Sequence, residues 1–172
     1  IQDGHSNGLM APRGSAQEAA IEAACADAGV SPADIGYFEA HGTGTALGDV
    51  IEATALGRVL ARADGPAAAH WLGSIKTNIG HLESAAGIAG LIKAALCLHN
   101  RALVPSLHFN TPNRAIDFPA LGLSVSVDQR PWAPPSGARL AGVSSFGFGG
   151  TNVHAVLAEP PKASAGPRDD NG

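Results

Sequence analysis

Apolar and polar positions alternate in blocks that read as helices and short strands in turn. Residues 17–28 form an alanine-rich run that predicts a helix, and Gly29 sits where a left-handed C-terminal cap is wanted. Ser31-Pro32 restarts the chain, since serine suits an N-cap and proline the first helical position. Residues 35–40 predict a short buried strand that delivers His41 at its C-terminal end. Gly48-Asp49 is expected to cap a helix running to about Arg62, with the acids Asp49 and Glu52 in its first turn to suit its macrodipole. After a turn at Asp64-Gly65-Pro66, residues 71–75 predict a second strand that carries Lys76 at its end.

Residues 82–98 are apolar on nearly every face, which predicts a central helix. Gly87 and Gly90 within it each cost about 1 kcal/mol against alanine, so close backbone packing is expected there. Residues 105–119 read as irregular, and 123–127 alternate like a strand. The apolar pair 140–145 and 153–157, joined by a glycine-rich segment, predicts a hairpin. Residues 1–14 are turn-rich, and from 159 the chain reads as a linker or tail. Helices alternating with strands and followed by strands predict an α/β layered fold, with ligands at the C-terminal strand ends.

Composition narrows the classes. The 172 residues suffice for one domain with a real core. The formal charge is −4 with basic residues scattered, which argues against nucleic acid as a partner. No apolar run of about 18 residues predicts a membrane span, no signal peptide is visible, and a cytoplasmic location is expected. Cys25 and Cys97 lie in alanine- and leucine-rich stretches and are expected to be reduced core residues. The opening Ile1-Gln2-Asp3 lacks an initiator methionine, so a processed or partial chain is expected.

The chemistry gathers around two histidines and a lysine. They occur in Glu39-Ala40-His41-Gly42-Thr43-Gly44-Thr45 and Ser74-Ile75-Lys76-Thr77-Asn78-Ile79-Gly80-His81. Histidine suits proton transfer or carbonyl polarisation near neutral pH, while glycine lets a substrate approach the backbone and threonine offers hydroxyls. From the residues alone a structural or metal-bound role for either histidine stays open. No H-x-x-x-H or C-x-x-C spacing supports zinc, and no complete phosphate-binding fingerprint is present. His5, His70, His99, His108 and His154 are expected to be surface or hydrogen-bonded structural residues. No cysteine or serine sits in a convincing nucleophile setting, so the chain reads as half of an active site.

Together with Ser145-Phe146-Gly147-Phe148-Gly149-Gly150-Thr151-Asn152, these segments resemble the C-terminal motifs of β-ketoacyl synthases. The pattern is most similar to the ketosynthase domain of modular type I polyketide synthases, over residues 1 to about 160. The resemblance implies a thiolase-like fold, of which this chain would be the C-terminal half of a five-layered αβαβα arrangement. It implies residues 1–158 as ketosynthase and 159–172 as linker, with the nucleophilic cysteine upstream. The implied reaction is a decarboxylative Claisen condensation of an acyl thioester with a malonyl-type extender. His41 and His81 would be catalytic, supported by Lys76, for which Glu83, Glu39, Asp49 and Glu52 compete as partner. Thr43 and Thr45 would bind the phosphopantetheine arm, unless their hydroxyls only bond their own turn. Phe148 would lend its backbone N–H to the acyl oxyanion hole and its ring to the acyl pocket.

No metal or redox cofactor is implied. The implied partners are an acyl carrier protein, the rest of the domain and module, and a second copy of the parent in a homodimer. This chain alone is expected to be inactive. The alternatives are a non-catalytic fragment or docking domain, and a decarboxylating loading-domain ketosynthase.

Overall fold

Alanine-rich α1 (Gly14–Ala28) ends where Gly29 turns left-handed at φ 65°, and Ser31 then caps a 3-10 turn over Pro32–Asp34 in a reciprocal capping box with Asp34. The computed structural model describes residues 1–3, 13–64, 70–134 and 137–161. The turn signals within 4–12, the Gly65-Pro66 part of the predicted turn, and the tail from 162 lie outside the described residues.

The chain then alternates. β1 (Tyr37–Glu39) leads to α2 (Gly48–Arg62), β2 (His70–Gly73), a one-turn α3 (Lys76–Ile79), and α4 (Ala86–Asn100). β3 (Ala102–Leu103), β4 (Leu123–Val125), β5 (Arg130–Pro131), β6 (Leu140–Phe146) and β7 (Asn152–Ala158) follow. β1, β2, β4 and β6 run parallel in a five-stranded sheet of order β4-β2-β1-β6-β7. β7 joins β6 as the predicted antiparallel hairpin, pairing Ser145 with Val153. β3 and β5 form a separate two-stranded ribbon that the sequence pattern did not predict.

Helices cover both faces of this sheet. On one, Ile21 and Cys25 of α1 and Leu56 and Val59 of α2 pack with Phe38. On the other, Ala94, Cys97 and Leu98 of α4 pack with Tyr37, Val143 and Trp132. Both cysteines are free and buried, as expected. The glycines of α4 admit the sheet closely: a Cβ at Gly87 would lie 3.0 Å from Ser145 Oγ, and one at Gly90 would lie 3.1 Å from Glu39 Cγ.

Four expectations need correction. Strand β2 stops at Gly73, so Lys76 opens α3 rather than ending a strand. Leu47, without a side-chain bond, precedes the first turn of α2, and Asp49 Oδ1 instead accepts the Gly44 N–H at 3.0 Å. The strand predicted over 123–127 ends at Val125, and Val127 faces solvent. The helix predicted over 82–98 begins only at Ala86, after a 3-10 turn over Glu83–Ala85, and it is not covered all round. Ile88, Ile92 and Leu96 are 55%, 52% and 55% exposed, one stripe at i, i+4, i+8.

Candidate active site

The His41 loop is held from beneath by a carboxylate. Glu52 on α2 is buried, and its two oxygens accept the His41 N–H at 2.7 Å and the Gly42 N–H at 2.9 Å. Gly42 takes φ 50° and approaches Ser74 so closely that a Cβ would lie 2.9 Å from Ser74 Cβ. Burial pushes the Glu52 carboxyl up to about 7, against the pull of those two N–H groups. Sequence reasoning saw Glu52 only as an early helix acid and a rival partner for Lys76. The signal for its true place was its spacing from the glycine loop, which local patterning does not decode.

His81 arrives by a second turn, where Gly80 takes φ 72° after α3. The His41 and His81 rings meet edge to face with centroids 5.4 Å apart, and Phe146 of β6 packs on His41 at 5.6 Å. His81 Nδ1 accepts the Glu83 N–H at 2.9 Å, which places the neutral ring's proton on Nε2. His41 Nδ1 is buried without a hydrogen-bond partner, leaving Nε2 as the nitrogen for a substrate. Burial, then the charges of Lys76 and His81, lower His41 to about 4, so the ring is neutral across the physiological range.

Lys76 stands behind this pair and does not line the cleft. No carboxylate of the described residues lies within 4.0 Å of its ammonium; Glu83 turns its backbone to His81 instead. Burial lowers Lys76, while the charges of Glu52 and Glu39 hold it up from farther away.

The threonines and Phe148 complete the wall. Thr45 Oγ1 accepts the Gly48 N–H at 3.1 Å and lies 3.4 Å from Thr43 Oγ1, so the turn-bonding role exists, and one hydroxyl proton of the pair remains to donate. Phe148 is 70% exposed on the β6–β7 connection, which is closed by Gly147 N–H to Thr151 O at 2.7 Å. Residues 1–3 run beside that connection: Asn152 N–H reaches Ile1 O at 2.6 Å, and Asp3 N–H reaches Gly150 O at 2.8 Å. The resulting cleft of about 990 Å³ is lined by His41, His81, Thr43, Thr45, Glu52 and Phe148 among others. Of the six predicted site residues, Lys76 alone is set back from it.

The other histidines behave as structural groups where described. His70 Nδ1 lies 2.7 Å from Ile35 O, and His154 Nδ1 lies 2.9 Å from Ser144 Oγ, both side chains buried. His99 and His108 are exposed, and His5 lies outside the described residues. No helix among the described residues is long and apolar enough to cross a membrane.

Residues 1–110 match the family model "Beta-ketoacyl synthase, C-terminal domain", and residues 112–172 match "Ketoacyl-synthetase C-terminal extension". The chain is 55% identical over 163 residues to polyketide synthase GfsA of Streptomyces halstedii, covering 92% of this chain and 2% of that protein. It is 49% identical over 166 residues to a phenolphthiocerol/phthiocerol polyketide synthase of Mycobacterium tuberculosis, covering 96% of this chain and 9% of that one. Among solved structures, the oxazolomycin ketosynthase domain of Streptomyces albus superimposes with TM-score 0.87 at 43% identity, over 93% of this chain and 28% of that one. The ketosynthase from module 6 of the Bacillus subtilis bacillaene synthase does so with TM-score 0.87 at 42% identity, over 29% of its own length. The chain thus spans under a third of these relatives, and its α/β layers are those of the thiolase-like fold.

Proposed function

The chain belongs to the β-ketoacyl synthase family, and from that premise we propose that it supplies the two-histidine half of a polyketide synthase ketosynthase site. The observation that carries this reading is the pair of imidazoles, His41 and His81, in edge contact on the cleft wall. In this reading the N-terminal half of the domain contributes the nucleophilic cysteine, and a polypeptide of residues 1–172 alone is inactive.

The geometry supports the following chemistry. The cysteine first takes an acyl group from a carrier thioester. A malonyl-type thioester on the phosphopantetheine arm of an acyl carrier protein then enters the cleft. Between them, Thr43 and Thr45 donate one hydroxyl hydrogen to the arm. The Nε2–H of His81 and the Nε2–H of His41 point at the malonyl thioester oxygen. The bond to the carboxylate breaks, carbon dioxide leaves, and its electron pair becomes an enolate whose oxygen the two N–H groups stabilise. The enolate carbon attacks the acyl-cysteine carbonyl, whose oxygen lies at the backbone N–H of Phe148. The new carbon–carbon bond forms and the thiolate departs. Burial first, and then the charge of Lys76, keep His41 unprotonated and therefore a donor of a single N–H. No metal or redox group takes part.

In this reading the domain boundary falls after β7, at about residue 158, with 159–172 as linker; Glu159 at its start accepts from Arg139 at 2.9 Å. The partners are the rest of the ketosynthase and its module, the carrier protein and a second copy of the domain, in the cytoplasm.

The test uses the full ketosynthase that carries this sequence. His41→Ala and His81→Ala each lose one oxyanion donor, about 3 kcal/mol or 10²-fold in decarboxylation. Carbon dioxide release from malonyl carrier measures that loss, and intact mass shows the cysteine still acylated. Normal condensation by both variants would refute the catalytic assignment and leave a docking role.

A further inference from the structure

Behind the two histidines lies a buried polar cluster that the reaction itself does not use. Glu39 ends β1, two positions before His41, and is 1% exposed. Its Oε1 accepts the backbone N–H of Ile75 at 2.5 Å. Its Oε2 accepts the Tyr37 hydroxyl at 2.5 Å and lies 2.8 Å from Lys93 Nζ on α4, the helix that follows His81. Lys93 is 6% exposed, and its contact with Glu39 is one of charge, its angle falling outside hydrogen-bond geometry. Two glycines make room for the cluster. A Cβ at Gly90 would stand 3.1 Å from Glu39 Cγ, and a Cβ at Gly73 would stand 2.7 Å from Tyr37 Oη and 3.3 Å from Lys93 Nζ.

One carboxylate therefore touches three segments: the strand leading to His41, the turn leading to Lys76, and the helix after His81. A buried ion pair contributes little net stability beside an apolar pair of equal volume. Stability does not account for placing these charges here, whereas the bond to Ile75, the residue before Lys76, accounts for a placing function. We infer that Glu39 is a positioning residue of the site: held beside Lys93, it accepts the Ile75 N–H and so fixes the Ile75–Lys76 turn against the end of β1. The inference rests on the ketosynthase reading for its effect on rate and stands apart from it for its effect on the turn.

Two double variants of the full ketosynthase separate placing from packing. Glu39→Met/Lys93→Met removes both charges and the acceptor while keeping volume. Glu39→Gln/Lys93→Met removes the charges and keeps an oxygen for Ile75. The first is expected to melt near the parent's temperature and to exchange amide hydrogens over residues 74–79 at least about tenfold faster. Its kcat for malonyl decarboxylation should fall about tenfold or more at unchanged KM for the carrier. The second should stay within about threefold of the parent in both readouts. A Met pair that exchanges and turns over like the parent would overturn the inference, as would equal losses in both doubles. Should the Met pair fail to fold, Lys93→Met alone decides. It leaves Glu39 in place as acceptor and should keep the protection over 74–79; loss of that protection would overturn the inference. A parent that releases no carbon dioxide would sink the ketosynthase reading, while the exchange data would still report on Glu39.

Discussion

At the residue scale, half-buried His41 and buried His154 pull stability with pH in the direction opposite to buried Glu52. His41 and His154 are each lowered from 6.5 to about 4 by burial, with Lys76 and His81 adding to the effect at His41. Between those values the unfolded chain holds the extra protons, so their contribution to stability is complete above 6.5 and is lost as pH falls towards 4. Glu52 is raised from 4.5 to about 7, so its contribution is complete below 4.5 and is lost as pH climbs towards 7. Two histidines oppose one glutamate between 4.5 and 6.5, so these three groups together make stability rise with pH there and decline from 6.5 to 7. Urea melts of the full ketosynthase across that range are expected to show a steeper rise in Glu52→Gln, where the opposing slope is gone. An unchanged slope in that variant would show that Glu52 is already ionised in the folded state. The histidines themselves were legible in the sequence because motif and glycine frame surround them. Glu52 and Glu39 are legible only as candidate partners of Lys76, because what they hold depends on contacts across eleven residues or more: Glu52 to His41, Glu39 to Ile75.

At the element scale, the strongest local signals held and the weak ones did not. The left-handed stop at Gly29, the Ser31 cap and the β6–β7 hairpin are each written in adjacent residues, so they survive into the structure. β3 and β5 are two residues each, too short for any period to show. α3 is a single turn whose four residues carry no amphipathic repeat. The hairpin also contains a steric constraint that no periodicity reveals. A Cβ at Gly142 of β6 would lie 2.7 Å from His154 Nε2 and 2.8 Å from Phe38 Cδ1. Neither ring can step aside, since His154 is fastened to Ser144 and Phe38 lies in the core under α1 and α2. Gly142→Ala is therefore expected to cost about 1–3 kcal/mol by overpacking. Gly149→Ala, where a Cβ meets nothing within 4 Å, is the control and should leave the urea midpoint unchanged.

At the scale of the whole molecule, α4 is the element whose sequence and surroundings disagree. Its composition is that of a helix buried on all sides, yet only the face towards β1 and β6 is covered. Ile88, Ile92 and Leu96 make a bare stripe, and Ile79 and Leu82, 51% and 41% exposed, extend the apolar surface towards the cleft. Exposed apolar side chains aligned along one helix face mark an interface. Leu82 follows His81 directly in the chain. A polypeptide of residues 1–172 alone is accordingly expected to self-associate at micromolar concentration and to bind a hydrophobic dye, read by sedimentation and fluorescence. Replacing Ile88, Ile92 and Leu96 together by lysine should return that polypeptide to a monomer, because like charges along one helix face oppose stacking. The same triple change in the full ketosynthase should instead abolish folding, since three lysines would then be buried without partners. A sharp, cooperative melt of the unaltered polypeptide as a monomer would mean that the stripe is tolerated in water.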